Sequence, residues 1–379
     1  MKKALIVANL AGFASFLMND INILQSMGYE ITYAANANKI KWSDTKRKLE
    51  EKNVKFIQVD FESKNPFSSQ NIKSFRQISK LLKEEKFDLI HCHTPIPGMT
   101  VRLAARRSRR KGTKVIYTTH GFAFASTTSG LKNKIIYKNL ESFCSRFCDA
   151  IITINREDYE SAKKMHCKKV YYINGVGVNT KRYAEVNIDR STYRKSIGVA
   201  DDEIMVLSVG ELSSRKNHQI IIKALSRIDS KEKYVYVVCG NGINGGTGQY
   251  LERIAKEHNV KLLLLGFRSD IPEITKCSDV GAIPSVREGL GLAGVQSLAA
   301  GVPVVGTSVQ GIKDYISDGN TGFLCNPFDA EGYASAIKKL ASLDVKERER
   351  MKECCIEMSK SFDMKISVAQ VKEIYNEVL

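Results

Sequence analysis

Apolar residues in this chain gather in short runs separated by polar, amphipathic stretches. The first run, residues 3–8, reads Lys-Ala-Leu-Ile-Val-Ala, too short for a core helix and apolar enough for a buried strand. A turn follows at 9–12, then a helical pattern over 13–27 that Gly28 closes. Similar strand-like runs fall at 31–34, 56–59, 88–93, 114–119, 150–154 and 170–173. Strands that alternate with amphipathic helices predict a parallel sheet covered on both faces, a doubly wound α/β arrangement. The turn formers Asn174-Gly175-Val176-Gly177-Val178-Asn179 interrupt the series and read as a linker. The alternation then restarts, with strands expected at 203–210, 234–240, 261–265, 279–284, 302–305 and 322–324 and helices at 330–340 and 365–378. The pattern predicts two Rossmann-like halves, without a tandem repeat or a low-complexity spacer.

At 379 residues the chain is long enough for two cores. No apolar run approaches the roughly 18 residues of a membrane span, and Met1-Lys2-Lys3 leads straight into a strand rather than into a signal peptide. A cytoplasmic protein is expected. The 9 cysteines are scattered without a C-x-x-C pair, which points to neither a disulfide framework nor a zinc ribbon. Charge changes the picture more. Residues 1–180 hold 31 Lys and Arg against 15 Asp and Glu, whereas residues 181–379 hold 27 against 26. Much of the excess lies in Arg102, Arg106, Arg107, Arg109, Arg110 and Lys111, a helical stretch with no acid, and in Lys132, Lys134 and Lys138 beside Leu131, Ile135 and Ile136. Nucleic acid and an anionic membrane both explain such patches. Aromatic residues that would stack on bases are sparse and no nucleic-acid motif occurs, so the membrane is the expected partner.

The densest candidate chemistry lies between Pro284 and Thr307, P-S-V-R-E-G-L-G-L-A-G-V-Q-S-L-A-A-G-V-P-V-V-G-T. A strand opens into the turn Glu288-Gly289-Leu290-Gly291, and a helix of small residues follows. Glycine lets a ligand approach the backbone, and a helix start presents unpaired N–H groups and a positive dipole end, which favours phosphate. Gln296 lies eight residues beyond Glu288, so both can face one ligand. Arg215 and Lys216 open another helix, where a planar fork and a point charge can clamp a diphosphate. At two strand ends in the first half stand His91-Cys92-His93 and Thr119-His120-Gly121. His91 and His93 face one side of an extended segment, but with no third ligand nearby in sequence a metal is not expected. His120 is placed to reach a ligand beyond the strand.

The stretch from Glu288 to Gln296 resembles the E-x7-E signature of family 4 retaining glycosyltransferases of the GT-B fold, with Gln in place of the second Glu. The resemblance runs over nearly the whole chain and is densest from Gly210 to Gly322. It implies two Rossmann-like domains facing a central cleft: 1–178 for the acceptor, 179–361 for the nucleotide sugar, and a helix at 362–379 returning to the first domain. It implies a sugar moved with retention from a nucleotide donor, expected to be a UDP-sugar, without a bound metal or other cofactor. Glu288 and His120 would touch the donor sugar. Gly12, Arg215, Lys216, Arg268, Gly291, Leu292, Ala293 and Gln296 would bind the rest of the donor. Glu211 stands where the family often has Arg, and Arg215 can supply that cation. The type resembled builds bacterial capsule or exopolysaccharide, as a hexosyl- or N-acetylhexosaminyltransferase. It implies a lipid-linked saccharide acceptor, a peripheral place on the inner face of the plasma membrane, and a polysaccharide-synthesis complex as partner. A sugar-nucleotide epimerase of the same fold, a non-catalytic sugar-nucleotide-binding adaptor and a nucleic-acid binder remain as alternatives.

Overall fold

The computed structural model describes residues 1–38, 42–62, 65–125, 130–242 and 246–379. They form two compact units, residues 1–176 with 365–379, and residues 177–364. Each unit is a parallel sheet wrapped by helices. In the first, strands β1 (Lys2–Leu10), β2 (Tyr29–Asn36), β3 (Lys55–Gln58), β4 (Leu89–His93), β5 (Lys114–Thr119), β6 (Ala150–Thr153) and β7 (Lys169–Tyr172) lie in the order β3-β2-β1-β4-β5-β6-β7. In the second, β8 (Ile204–Val209), β9 (Tyr234–Cys239), β10 (Lys261–Gly266), β11 (Val280–Ile283), β12 (Val304–Thr307) and β13 (Gly322–Cys325) lie in the order β10-β9-β8-β11-β12-β13. All the pairings are parallel. The α/β reading therefore holds in both halves.

Burial explains why these runs are strands. Leu5, Ile6 and Val7 of β1, Ile90 of β4 and Val115 and Ile116 of β5 are fully buried, as strands covered on both faces must be. In each sheet the winding reverses once, between β1 and β4 and between β8 and β11. At such switch points the loops after neighbouring strands splay apart, which opens a crevice at the carboxyl ends. The loops after β1 and β4 in one unit, and after β8 and β11 in the other, carry most of the residues singled out above.

Two local departures matter. The helical pattern at 13–27 is a 3-10 turn, Ala11–Phe16, followed by an α-helix, Met18–Ser26, with the break at Leu17. Ala11 and Ala14 are fully buried, so the tighter turn packs small residues directly behind β1. The basic stretch is likewise two helices, Pro95–Ala104 and Arg106–Arg110, rather than one.

Candidate functional site

In residues 177–364 the switch point gathers charge. The chain leaves β8 through Gly210, where a Cβ would stand 2.9 Å from Lys216 Cε, so glycine lets that side chain run close along the backbone. Asn217 turns with φ 55° and donates from its amide to the carbonyls of Pro284 (3.2 Å) and Pro327 (2.8 Å), which ties the loop after β8 to the end of β11. Lys216 Nζ then lies 2.8 Å and Arg215 Nη1 3.0 Å from Glu288 Oε2. Arg215 also holds Glu211 Oε1 at 3.0 Å through Nη2, and the Glu288 N–H donates to Gln310 Oε1 at 3.2 Å. Burial pushes the Glu288 carboxyl up, but the charges of Lys216 and Arg215 outweigh it and hold it below the usual carboxylate range. It is an anion under two cations.

Gly291 caps the helix Leu292–Ala299 with φ 80°, and a Cβ there would stand 3.0 Å from the Tyr315 hydroxyl and 3.1 Å from Glu288 Cγ. The helix start thus opens beside Glu288. Gly294, Val295, Ser297 and Leu298 are buried, whereas Leu292, Ala293 and Gln296 are only half-buried and share the opposite face. Arg268 follows β10 and forms a two-pronged pair with Asp270 at 2.9 and 2.5 Å. These residues can hold a dianion by side-chain cations and helix-start N–H groups.

The switch point of the first sheet gathers neutral polar groups instead. His120 follows β5, packs edge-on against Phe13 with ring centroids 4.9 Å apart, and sets Nε2 3.2 Å from His93 Nδ1. His91 is bonded at both nitrogens, Nε2 to Thr118 Oγ1 and Nδ1 to the Tyr375 hydroxyl, each at 2.7 Å. Tyr375 in turn donates to Asp20 Oδ1 at 3.0 Å. Burial lowers His91 to about 3 and His120 to about 4, and lowers His93 well below the ordinary value, so the three rings are neutral near pH 7. Burial raises the Asp20 carboxyl to about 6. Gly12 lies in the 3-10 turn after β1, its carbonyl accepting from Ser15 Oγ at 2.9 Å.

Two expectations need correction. His91 and His93 do have a third potential ligand, for the fold brings Asp20 from the helix Met18–Ser26 to within 4.8 Å of both. Arg102 is not a surface cation: it is fully buried, its Nη2 is 2.6 Å from Glu141 Oε2, and its guanidinium lies 4.0 Å from the Tyr117 ring centroid. Buried charge is tolerable only when paired, and the partner comes from a helix 39 residues on. Arg109 is half-buried against Asp149 at 2.9 Å. Arg106, Arg107, Arg110 and Lys111 are exposed, as are Lys132 and Lys138 in the helix Leu131–Cys144, where Lys134 is half-buried. That helix also exposes Leu131 (74%), Ile135 (51%) and Ile136 (48%), so its outer surface is apolar as well as basic. No helix among the described residues is long and apolar enough to cross a membrane.

Sequence reasoning missed Asp20, Thr118, Tyr375, Glu141 and Gln310. One signal was present: two histidines in a strand otherwise fit for full burial demand polar partners from elsewhere in the chain.

The family model described as Glycosyltransferase Family 4 matches residues 12–182, and that described as Glycosyl transferases group 1 matches residues 189–357. EpsD of Bacillus subtilis (strain 168), provisionally named a glycosyltransferase, is 34% identical over 334 residues, 86% of this chain and 84% of EpsD. The Escherichia coli UDP-Gal:alpha-D-GlcNAc-diphosphoundecaprenol alpha-1,3-galactosyltransferase is 28% identical over 320 residues, 82% of this chain and 80% of that protein. The crystal structure of Anabaena HepE with UDP and glucose superposes with a TM-score of 0.79 at 20% identity, covering 100% of both chains. WaaG, a glycosyltransferase involved in lipopolysaccharide biosynthesis, gives 0.76 at 17%, covering 98% of this chain and 99% of WaaG. With its two doubly wound sheets and its relation to EpsD over most of both chains, the protein belongs to the family 4 glycosyltransferases and has the GT-B fold.

Proposed function

We propose that this glycosyltransferase moves a hexosyl or N-acetylhexosaminyl group from a UDP-sugar, with retention, to a saccharide carried on a lipid diphosphate, in the synthesis of a surface polysaccharide. The observation that carries the reading is the Glu288 carboxylate held by Lys216 and Arg215 beside the helix start at Gly291. In the reaction the bond from the anomeric carbon to the UDP oxygen breaks and a bond to an acceptor hydroxyl oxygen forms. The hydroxyl proton leaves with UDP. Lys216, Arg215 and the N–H groups of Leu292 and Ala293 stabilise the charge that grows on the leaving diphosphate. Lys216 and Arg215 supply beside Glu288 the positive charge that a divalent ion would otherwise bring, which supports a metal-independent step. Glu288 and His120 orient the sugar, Gln296 meets the ribose, and Gly12 and Arg268 complete the donor contacts. The E. coli relative's name, with UDP-Gal as donor and a diphosphoundecaprenol-linked GlcNAc as acceptor, supports the donor and acceptor classes.

The exposed Arg106, Arg107, Arg110 and Lys111, with the basic and apolar helix Leu131–Cys144, support docking of this unit on an anionic membrane; the inner face and a polysaccharide-synthesis complex are the setting proposed for it. The experiment incubates the purified chain with a panel of UDP-sugars and a diphosphoundecaprenol-linked monosaccharide, reading products by mass with anomeric configuration by NMR. One added hexose or N-acetylhexosamine with the donor's configuration is the expected product. UDP release without transfer, or inversion, would sink the reading. Exchange of Arg106, Arg107 and Arg110 for Ser should reduce co-sedimentation with anionic vesicles.

A further inference from the structure

Asp20, His91 and His93 converge at the switch point of the first sheet. The two histidines alternate along β4 and so lie on one side of it, and Asp20 reaches them from the helix Met18–Ser26. One donor atom from each lies within 4.8 Å of the other two, and among the described residues this is the one such group of His, Cys, Asp or Glu. His93 is 1% exposed, and its Nε2 has no hydrogen-bond partner. Asp20 and His93 also line a cavity of about 20 Å³, with Phe16, Leu17 and His120. That volume exceeds the roughly 10–15 Å³ that one water needs, so it has room for a water molecule or an ion.

The outer nitrogens show how an ion could be held. His93 Nδ1 faces His120 Nε2 at 3.2 Å, and His91 Nε2 faces Thr118 Oγ1 at 2.7 Å. A neutral imidazole carries one N–H and one lone pair. With its N–H directed at His120, His93 turns its Nε2 lone pair inward. The Tyr375 hydroxyl donates to Asp20, so His91 Nδ1 carries the N–H in this arrangement and can take an ion only after that proton passes to Nε2, which then donates to Thr118 Oγ1. Metal-bound histidines are held in this way by their second nitrogen. We propose that Asp20, His91 and His93 form a binding site for a divalent transition metal of the zinc and cobalt class. Two imidazoles and a carboxylate favour such ions over calcium or magnesium. The Tyr375 hydroxyl, 2.7 Å from His91 Nδ1 and 3.0 Å from Asp20 Oδ1, sits between two of the three ligands in the metal-free arrangement. Ligand atoms around tetrahedral zinc lie about 3.4 Å apart, given bonds of about 2.0–2.1 Å. Binding therefore draws the three together by about 1 Å and moves the hydroxyl aside. The bound ion would join β4 to the helix Met18–Ser26. The site uses none of Glu288, Lys216 and Arg215, adjoins the proposed sugar contact His120 through His93 Nδ1, and its metal binding is read without any sugar.

The test titrates the chelator-treated full chain with Co²⁺, follows the visible d–d absorption, and then adds Zn²⁺. The expected result is one equivalent of Co²⁺ bound and displaced by Zn²⁺, with the bands lost in His93→Gln and in Asp20→Asn while the thermal transition stays near that of the parent. Tyr375→Phe removes the competing hydroxyl and should tighten Co²⁺ several-fold, which keeps the test open if a ligand variant fails to fold. No saturable binding at millimolar Co²⁺, with only an ordered water at His93 Nε2, overturns the site. So do bands that persist in both ligand variants, or affinity that does not rise in Tyr375→Phe.

Discussion

The two sheets reverse their winding at equivalent places, after β1 and β8, yet the chemistry collected there is opposite. After β8 and β11 a carboxylate lies under two cations, Glu288 against Lys216 and Arg215. At the first sheet's switch point three imidazoles, two within β4 and one after β5, stay neutral beside a carboxylate that has no cation bonded to it in the described residues, Asp20 accepting from Tyr375. The fold supplies the location, a crevice at the carboxyl ends of strands. The loops supply the field. A site that holds two cations at a helix start is prepared for a dianion, whereas a buried neutral site with lone pairs is prepared for a hydroxyl, a water or a cation.

The largest expected effect comes from removing the charge on which the cationic site closes. In Glu288→Gln the shape is kept while the anion is lost. If Glu288 stabilises the sugar as the donor bond breaks, turnover falls by about a hundred- to a thousandfold, the range for removing one pre-placed electrostatic contact. Lys216 and Arg215 are then released from their partner, so UDP affinity by calorimetry should hold or rise. A parallel fall in both quantities would show that Glu288 serves the nucleotide and that the contrast between the sites is misdrawn. The converse change, Arg215→Ala with Lys216→Ala, strips the cations. Loss of two charge-assisted contacts to a diphosphate weakens UDP by about 3 kcal/mol, or about a hundredfold. Unchanged UDP affinity would mean that the pair serves only to hold Glu288.

Much of this contrast was legible in the sequence, and the missing part has a physical cause. The strand at 114–119 could be read to the residue because Val115, Ile116 and Tyr117 are apolar and buried on both faces. The Glu288 turn could be read because glycine at 291 and a small-residue helix advertise a close approach. Arg215 and Lys216 are adjacent in the chain, so their shared direction needed no tertiary information. The neutral site is another matter. Asp20 and Tyr375 are 355 residues apart, and only docking of the helix Met364–Val378 brings them to one histidine. Arg102 was misread for the same reason, since six cations without an acid look like one patch for an anionic surface until Glu141 arrives from another helix.

A smaller effect separates the sites by pH. The folded values of His91, about 3, and His120, about 4, lie below the unfolded value of about 6.5. Their contribution to stability is present above pH 6.5 and lost as pH falls, first toward 4 and then toward 3. Asp20 acts in the other direction, because its folded value of about 6 lies above its ordinary 3.8. Its contribution is present at low pH and lost as pH rises through 6. Between pH 6 and 4 it therefore opposes the histidines. Each proton is worth about 1.4 kcal/mol per pH unit at most. Urea unfolding at pH 6, 5 and 4 should show Asp20→Asn losing stability more steeply than the parent, by up to that amount per unit. Equal slopes would place the Asp20 carboxyl in water.

The smallest change tests whether the cationic site reaches the ribose. Gln296 lies about one turn into the helix that follows the Glu288 turn, half-buried on the helix face shared with Leu292 and Ala293. An amide oxygen accepts a hydroxyl hydrogen bond, but a carboxylate accepts it more strongly, typically by about 1 kcal/mol. Gln296→Glu should therefore tighten UDP by about fivefold. The gain cannot come from the diphosphate, since a new negative charge near it acts in the opposite sense. Calorimetry with UDP and with 2′,3′-dideoxy-UDP separates the two contributions. The expected result is a gain for UDP that vanishes for the dideoxy nucleotide. A loss for both ligands would mean that Gln296 faces the phosphates, and that the amide is neutral there because Lys216 and Arg215 already have Glu288 to balance.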